Sequence, residues 1–283
     1  MKLVRPSVEI REQKDGADGL YEHIEWAGRH CYKSHDKMTE DSARTFVGRI
    51  SRSGHGSVLE HGTIYLAIPA DDMPAELLVN PYTKCVRCET PEAENWYAVT
   101  TNYRVIVENN WDLLMMHECQ PTPSHEKRMT VKFVCDRGVS HEFVRHRVFS
   151  VSQESQRYCN YGKGKFGNQV TYIRPSWWNI ETSDKTAYEE GLLKAEEAYI
   201  SAVKAWDDRK PDKRYRSGFK GNPLSPQMAR MLLPNATKTE LVMTGFLSDW
   251  NHFLELRCSL AAHPDARFLA EKLKSLITEN NED

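Results

Sequence analysis

The segment that most constrains this chain is residues 145–158, which read RHRVFSVSQESQRY. It holds three arginines, one histidine and three serines, with Glu154 as the single opposing charge. Apolar residues alternate with these polar groups, so part of the segment must be buried while its donors line a polar site. Arginine binds phosphate oxygens two at a time, which suits one ligand with several phosphates or two phosphorylated ligands. A solvated basic segment is the alternative on composition alone.

Composition narrows the class of protein. The chain has 283 residues, 40% of them apolar and 28% charged, and a net charge of −2. This is ordinary for a globular protein and disfavours a generally basic nucleic-acid binder. No apolar run has the length of a membrane span, and the first ten residues lack the apolar core of a signal peptide. We therefore expect a cytoplasmic protein with no nucleic-acid or membrane partner.

Periodicity predicts both helices and strands. The predicted helices are 18–33, 40–53, 111–119, 184–208, 248–259 and 265–277. Two more are predicted from one end only. One begins after the turn at 136–138 and carries Arg145–Arg147 at its C-terminal end, and the other ends near 233. The predicted strands are 63–68, 95–107, 129–135, 170–173 and 238–244. Because strands and helices do not alternate regularly, we expect an α+β fold with a central, mostly antiparallel sheet flanked by helices.

Seven cysteines are scattered through the chain, an odd number that argues against a disulfide framework. Cys85 and Cys88 have the spacing of half a zinc site, and His117 and Cys119 could supply the other half. The combined pattern is not a standard zinc motif, so reduced cysteines without a metal are the favoured interpretation, and no metal site is predicted.

Two histidine patterns invite a metal interpretation. Residues 55–61, HGSVLEH, offer two histidines and a glutamate, but polar side chains at a helix–strand junction that cap helix ends explain the pattern equally well. His141 and His146 resemble the zinc-protease HExxH, yet they are five residues apart instead of four. That spacing turns the second histidine away from the first and excludes a zinc protease.

Four blocks together resemble the flavin-dependent thymidylate synthase family. The family signature RHR, seven residues, Ser matches Arg145–Arg147 and Ser155, closed by Arg157 and Tyr158. Residues 55–61 resemble the family's histidine block, Arg230 with Leu233-Pro234 its Arg-x-x-Leu-Pro element, and residues 244–257 its C-terminal helix. The resemblance covers about residues 15–70 and 128–278. It implies a single domain, 1–283, with an insertion at about 70–128.

The resemblance implies an FAD-dependent methyltransferase that makes dTMP from dUMP. Methylenetetrahydrofolate would donate the carbon, NADPH would supply reducing equivalents through FAD, and active sites would be shared within a homotetramer. The residues implied for FAD are Ser57, Arg145, His146, Arg147, His252 and the backbone around Phe246 to Ser248. Those implied for dUMP are Glu142, Arg145, Gln153, Glu154, Ser155, Gln156, Arg157, Arg230 and Arg257.

Arg257 matches the arginine that, by this resemblance, activates the pyrimidine. A guanidinium near N3 and O4 favours the electron-rich, enolate-like form of uracil that makes C5 nucleophilic. The chain departs from many members in having Ser152-Gln153 where they have Asn-Glu, and in having Phe246 and Ser248 where some carry asparagine and arginine. We expect the first change to retune the site, and flavin contacts at the second to come from the backbone.

Two alternatives remain open from the sequence. One is a flavoprotein that acts on dUMP with a different one-carbon outcome, such as hydroxymethylation. The other is a non-catalytic nucleotide- or RNA-binding protein, which predicts no bound flavin and a strong salt dependence of binding. Flavin absorbance of the purified protein separates the second alternative from the first.

Overall fold

The computed structural model describes residues 1–90, 93–179, 185–207 and 225–279. Its helices are α1 (Gly16–His30), α2 (Ser42–Arg52), α3 (Ala75–Leu78), α4 (Tyr103–Glu108), α5 (Arg137–Phe143), α6 (Lys185–Asp207), α7 (Ser225–Ala229), α8 (Leu247–Arg257) and α9 (Pro264–Glu279). Its strands are β1 (Lys2–Val4), β2 (Ser7–Arg11), β3 (Thr63–Pro69), β4 (Lys84–Thr90), β5 (Ala93–Asn102), β6 (Arg128–Asp136), β7 (Ser150–Gln153), β8 (Thr171–Ile173) and β9 (Lys238–Phe246).

The strands form two antiparallel sheets and one short parallel pair. The larger sheet has the order β2-β6-β9-β7, and the smaller has the order β3-β5-β4. β1 and β8 pair in parallel. This mixture of helices and antiparallel sheets confirms the predicted α+β class.

The core that supports the candidate site lies between the larger sheet and helices α5, α8 and α9. Phe133 of β6 meets Phe143 of α5 at 4.9 Å and Phe253 of α8 at 6.0 Å between ring centroids. The indole N–H of Trp250 donates to the Met129 carbonyl at 3.0 Å, which satisfies a polar group inside this aromatic cluster. The ends of α5 and α8 are thereby fixed relative to each other.

Two further cores complete the described chain. Helices α1 and α2 pack on the smaller sheet through fully or nearly buried side chains such as Ile24, Phe46, Leu66 and Val99. Helix α6 covers β8 through Tyr172, Tyr199 and Val203. The predicted helix 184–208 is found as α6, and its two end residues lie outside the described residues.

The structure corrects several boundaries. The predicted strand 95–107 ends at Asn102, whose side chain accepts a hydrogen bond from the Val105 N–H at 3.3 Å and begins helix α4. No strand was predicted between residues 68 and 95, and the structure has strand β4 there. Strands β1, β2 and β7 were not predicted. Among the described residues, no helix is both long and apolar enough to cross a membrane.

Candidate functional site

The signature arginines lie in the turn that follows α5, not within a helix as predicted. Helix α5 is only seven residues long and ends at Phe143, and the His146 N–H donates to the Phe143 carbonyl at 3.1 Å. Phe149 anchors the other end of the turn against Trp250, 4.4 Å between centroids. A Cβ on Gly245 would meet the Phe149 ring at 2.5 Å, so this close packing requires glycine there.

Arg257, at the end of α8, is held by two residues of this turn region. Its Nη1 donates to Glu142 Oε2 at 2.5 Å, its Nη2 to the Glu142 carbonyl at 2.8 Å, and its Nε to His146 Nε2 at 2.9 Å. The structure thus brings Arg257 into contact with two predicted site residues that lie over a hundred positions earlier in the sequence. Three of the five guanidinium N–H donors are fixed, and two remain for a ligand.

His146 is neutral in this arrangement. Burial, the Arg257 charge and His252 lower the pKa of His146 to about 4. Because Nε2 accepts the bond from Arg257, the ring proton lies on Nδ1. A neutral imidazole can therefore orient Arg257 at any pH well above 4.

Arg145 and Arg147 flank His146 and are exposed. Within the described part of the chain, neither has a carboxylate within ion-pairing distance. His252, one turn before Arg257, is also exposed, and its Nδ1 lies 3.7 Å from Glu255. Arg145 and Arg147 are thus two exposed cations beside His146, which contacts Arg257, and an anionic ligand can reach them.

The other predicted flavin residues of α8 lie at its opposite end. Phe246 is buried beside Arg128 and Lys84, with its ring 5.7 Å and 5.5 Å from the two cationic groups. The Ser248 N–H and hydroxyl both bond Glu126, and the Leu247 N–H donates to the Lys127 carbonyl. The backbone donors expected to bind flavin here are already used within the chain.

The predicted flavin residues of this chain lie on different elements. Ser248 and His252 are four residues apart on α8, which separates their backbones by about 6 Å. Ser57 is exposed in the 3-10 turn Gly56–His61. Arg145, His146 and Arg147 lie in the turn after α5.

A buried ionic network surrounds Glu154. Its Oε2 accepts from Lys238 at 2.7 Å and its Oε1 from the Tyr161 hydroxyl at 2.9 Å. Lys238 also bonds Glu240, which in turn is paired with His30 at 2.8 Å. Burial alone would lower the pKa of Lys238, but the two carboxylates outweigh it and raise the pKa. Glu154 thus anchors this region through one hydrogen bond to each carboxylate oxygen, and its contact with dUMP stays a prediction.

Four other residues predicted for dUMP lie on either side of Glu154 in the sequence. Gln153 donates to the Ser140 hydroxyl of α5 at 2.7 Å, which fixes β7 to the site helix. The Ser155 hydroxyl accepts from the Arg157 N–H at 3.3 Å, while Gln156 is half-buried. The Arg157 Nε donates to Gln227 at 3.2 Å.

Arg230 lies close in sequence to Gln227, the residue that Arg157 contacts. It begins the 3-10 turn Arg230–Leu232, directly after α7, the helix that carries Gln227. Its side chain is exposed. The contact between Arg157 and Gln227 therefore joins the segment of one arginine predicted for dUMP to the helix that directly precedes the other.

His61 has a role that neither sequence interpretation described. It is fully buried and bonds Thr244 of β9 at 2.8 Å and Ser152 of β7 at 3.0 Å. Burial lowers its pKa well below 6.5. It therefore joins two strands through neutral hydrogen bonds, and neither binds metal nor caps a helix.

The cysteine pattern does not assemble into a metal site. Cys85 and Cys88 are three apart on β4, so their side chains leave opposite faces of the sheet. Cys119 lies 3.9 Å from His125 rather than near either of them. Over residues 1–90, 93–179, 185–207 and 225–279, no three histidine, cysteine or acidic side chains are grouped to hold a metal.

Sequence reasoning missed Lys238, Glu240 and Tyr161. The signal was present in KTELVM at residues 238–243, where two charges alternate at the start of an otherwise buried strand. Charges that share one face of a buried strand need partners.

Comparison with known proteins identifies the family. The family model described as "Thymidylate synthase complementing protein" matches residues 93–280, more than half of the chain. The chain belongs to this family. The matched range includes the second half of the segment 70–128, whose status as an insertion stays a prediction.

Curated relatives agree with this assignment. The chain is 25% identical to the flavin-dependent thymidylate synthase of Mycolicibacterium gilvum (strain PYR-GCK) over 275 residues, 96% of this chain and 80% of that protein. It is 25% identical to that of Mycobacterium marinum over 283 residues, 97% and 81% respectively. The relative from Corynebacterium efficiens is 34% identical over 147 residues, 49% of this chain and 54% of that protein.

A solved structure of a UMP/dUMP methylase, PolB from Streptomyces cacaoi bound with 5-Br dUMP, aligns over 99% of this chain and 93% of that one. The TM-score is 0.42 and the identity 17%. A likeness at this level supports no inference about this chain.

Proposed function

We propose that the protein is an FAD-dependent thymidylate synthase, a methyltransferase that converts dUMP to dTMP. Methylenetetrahydrofolate donates the carbon, and NADPH supplies reducing equivalents through FAD. The observation that carries the proposal is the fixed fork of Arg257, held by Glu142 and His146 beside the exposed Arg145 and Arg147. The family membership supports the same activity.

Arg257 activates the pyrimidine in this proposal. Its two remaining N–H donors bond O4 of the uracil, close to N3, and stabilise the enolate-like form, which makes C5 nucleophilic. Glu142 and the neutral His146 hold the fork before substrate arrives, so little reorganisation is needed when charge develops. Glu142 also keeps the cation from being an isolated charge in a half-buried site.

The turn residues fit the phosphates of FAD. Arg145 and Arg147 are exposed, and none of the described carboxylates pairs with them, so both guanidiniums can bind phosphate oxygens bidentately. Bound FAD supplies the hydride chemistry that no amino-acid side chain offers. Ser57 and His252 are exposed and remain candidate partners, whereas the backbone donors near Ser248 need Glu126 to move before they can bind a ligand.

Arg157 and Arg230 bind the phosphate of dUMP in this proposal, with Ser155 and Gln156 beside them. Both arginines are exposed, and Gln227, which accepts a hydrogen bond from Arg157, lies three residues before Arg230. Gln153 and Glu154 hold the loop through hydrogen bonds to Ser140 and Lys238, and both remain candidate contacts of the nucleotide.

A homotetramer with shared sites explains one feature of the surface. Exposed apolar residues lie next to the site arginines in the sequence: Val148 at 62%, Met231 at 83% and Leu256 at 49%. Apolar side chains beside binding residues are expected where another copy covers them.

The test is dTMP formation from dUMP, methylenetetrahydrofolate and NADPH, with and without added FAD, with the product identified by mass. The proposal expects dTMP that depends on FAD. A hydroxymethylated nucleotide would replace the proposed outcome with another one-carbon transfer. A protein that neither binds flavin nor converts dUMP would contradict the proposal altogether.

A further inference from the structure

Residues 70–128 include none of the residues predicted to bind FAD or dUMP, yet one helix of this segment contacts a predicted flavin element. Helix α4 packs against the 3-10 turn Gly56–His61. The Tyr103 N–H at the start of α4 donates to the Gly62 carbonyl at 2.9 Å, directly after the turn ends. The segment 70–128 is thereby joined to the turn that carries Ser57.

Arg104 of α4 provides the ionic part of this contact. Its Nη1 donates to Glu60 Oε1 at 2.6 Å, and its Nε donates to Glu108 Oε1 at 2.8 Å, one helical turn further along α4. The hydrogen bonds to Glu108 and to Glu60 raise the pKa of Arg104. Because Glu108 orients the guanidinium from within the helix, the bond to Glu60 has a fixed direction.

The beginning of the turn also touches this guanidinium. A Cβ added to Gly56 would lie 3.0 Å from Arg104 Nε and 3.1 Å from Glu108 Oε1, which is closer than ordinary van der Waals contact. Arg104 therefore contacts the turn at Gly56 and at Glu60, on both sides of Ser57 in the sequence. Ser57 itself is exposed, so a ligand can reach it while its neighbours are held.

The two halves of the turn are anchored differently. Leu59 and His61 are buried, which fixes the second half of the turn to the protein interior. Gly56 and Ser57 are not buried. The position of the first half therefore depends on its contact with Arg104.

We propose that Arg104 is a positioning residue for flavin binding. Through Gly56 and Glu60 it holds the turn in place, so the Ser57 hydroxyl is ordered before FAD binds. A binding element that is ordered beforehand loses less conformational freedom on binding, which tightens affinity. The inference rests on the proposed role of Ser57 in FAD binding, and it gives the segment 70–128 a function without any contact to the flavin.

The test is titration of FAD into the full-length protein after removal of bound flavin, with the dissociation constant measured by flavin fluorescence. We expect Arg104→Met to weaken FAD binding about fivefold, because the loosened turn must be ordered on binding. Arg104→Lys keeps a charge beside Glu60 and should recover part of the loss. Arg87→Met, which removes an exposed ion pair to Glu89 on β4 of the same segment, is the matched control and should leave the affinity unchanged.

A double-mutant cycle separates positioning from a general structural effect. If Arg104 acts through Ser57, Arg104→Met should weaken FAD binding much less in a Ser57→Ala background than in the wild type. A merely structural role predicts the same fold-change in both backgrounds. Equal fold-changes would therefore overturn the inference.

Hydrogen exchange of the flavin-free protein supplies a readout that does not need FAD. The Val58 N–H donates to the His55 carbonyl at 3.3 Å within the turn region, and it should exchange faster in Arg104→Met than in the wild type or Arg87→Met. Unchanged exchange would overturn the inference.

The titration also separates this inference from the proposed function. A wild-type protein that binds no FAD would overturn the proposed function and this inference together. Wild-type FAD binding with the same affinity in Arg104→Met would overturn this inference alone.

Discussion

Replacing Arg257 by alanine removes the group that the proposed mechanism depends on. The substitution deletes three hydrogen bonds to Glu142 and His146 together with the two donors left for uracil. Losing one such transition-state contact typically lowers kcat by about 10²–10³, or about 2.7–4 kcal/mol. Because Arg257 would contribute two contacts, we expect a loss at the upper end of this range. Flavin content should not change, since Arg145 and Arg147 remain.

The assay is steady-state dTMP formation with flavin content measured on the same preparation. Arg257→Lys keeps the charge but cannot reproduce the planar fork, so it should recover little activity. Arg267→Ala, on the neighbouring helix α9, is the matched control and should retain activity. A second readout tests the geometry directly: the Arg257 charge helps to lower the pKa of His146 to about 4, so that pKa should rise in Arg257→Ala. Near-normal turnover, or an unmoved His146 titration, would refute the reasoning.

Three further outcomes follow from the same contacts. Arg147→Ala should lower flavin retention, measured by absorbance after gel filtration, because it removes a phosphate-binding fork; unchanged flavin content would count against that role. Lys238→Met should destabilise the fold by about 3–5 kcal/mol in denaturant unfolding, because two buried carboxylates lose their shared cation. Lys165→Met, in an exposed ion pair, should leave the unfolding curve unchanged, and equal curves for both variants would contradict the assignment. The pKa of His146 lies near 4 in the folded protein and at 6.5 in the unfolded chain, so only the unfolded chain binds a proton there as the pH falls from 6.5 to 4. The free energy of unfolding of the wild type should therefore fall more over that range than that of His146→Gln. Equal losses in the two proteins would show that His146 is not buried as described.

The sequence predicted the parts of the fold whose patterns are local. The helices near 18–33 and 40–53 and the strands near 63–68 and 129–135 were confirmed because periodicity and turn residues specify them. Strand 95–107 was overextended because Asn102 caps a helix in the middle of a β-branched run. Strands β2 and β7 were missed because charged or polar residues occupy more than half of each, and only pairing with β6 and β9 defines them.

The family resemblance predicted which residues form the site but not how they are arranged. The resemblance pointed to Glu142, His146 and Arg257, and the structure places all three in contact. The resemblance could not reveal that the Glu154 carboxylate accepts a hydrogen bond from Lys238, because that contact joins residues 84 positions apart. Long-range pairing of this kind depends on the sheet register and has no local signature.

The most direct test of the proposed synthase is an anaerobic single turnover with the flavin reduced beforehand. The account predicts about one dTMP per flavin reoxidised, and only when dUMP and methylenetetrahydrofolate are both present. Flavin reoxidation without dTMP, or dTMP formed without any change in flavin absorbance, would contradict it.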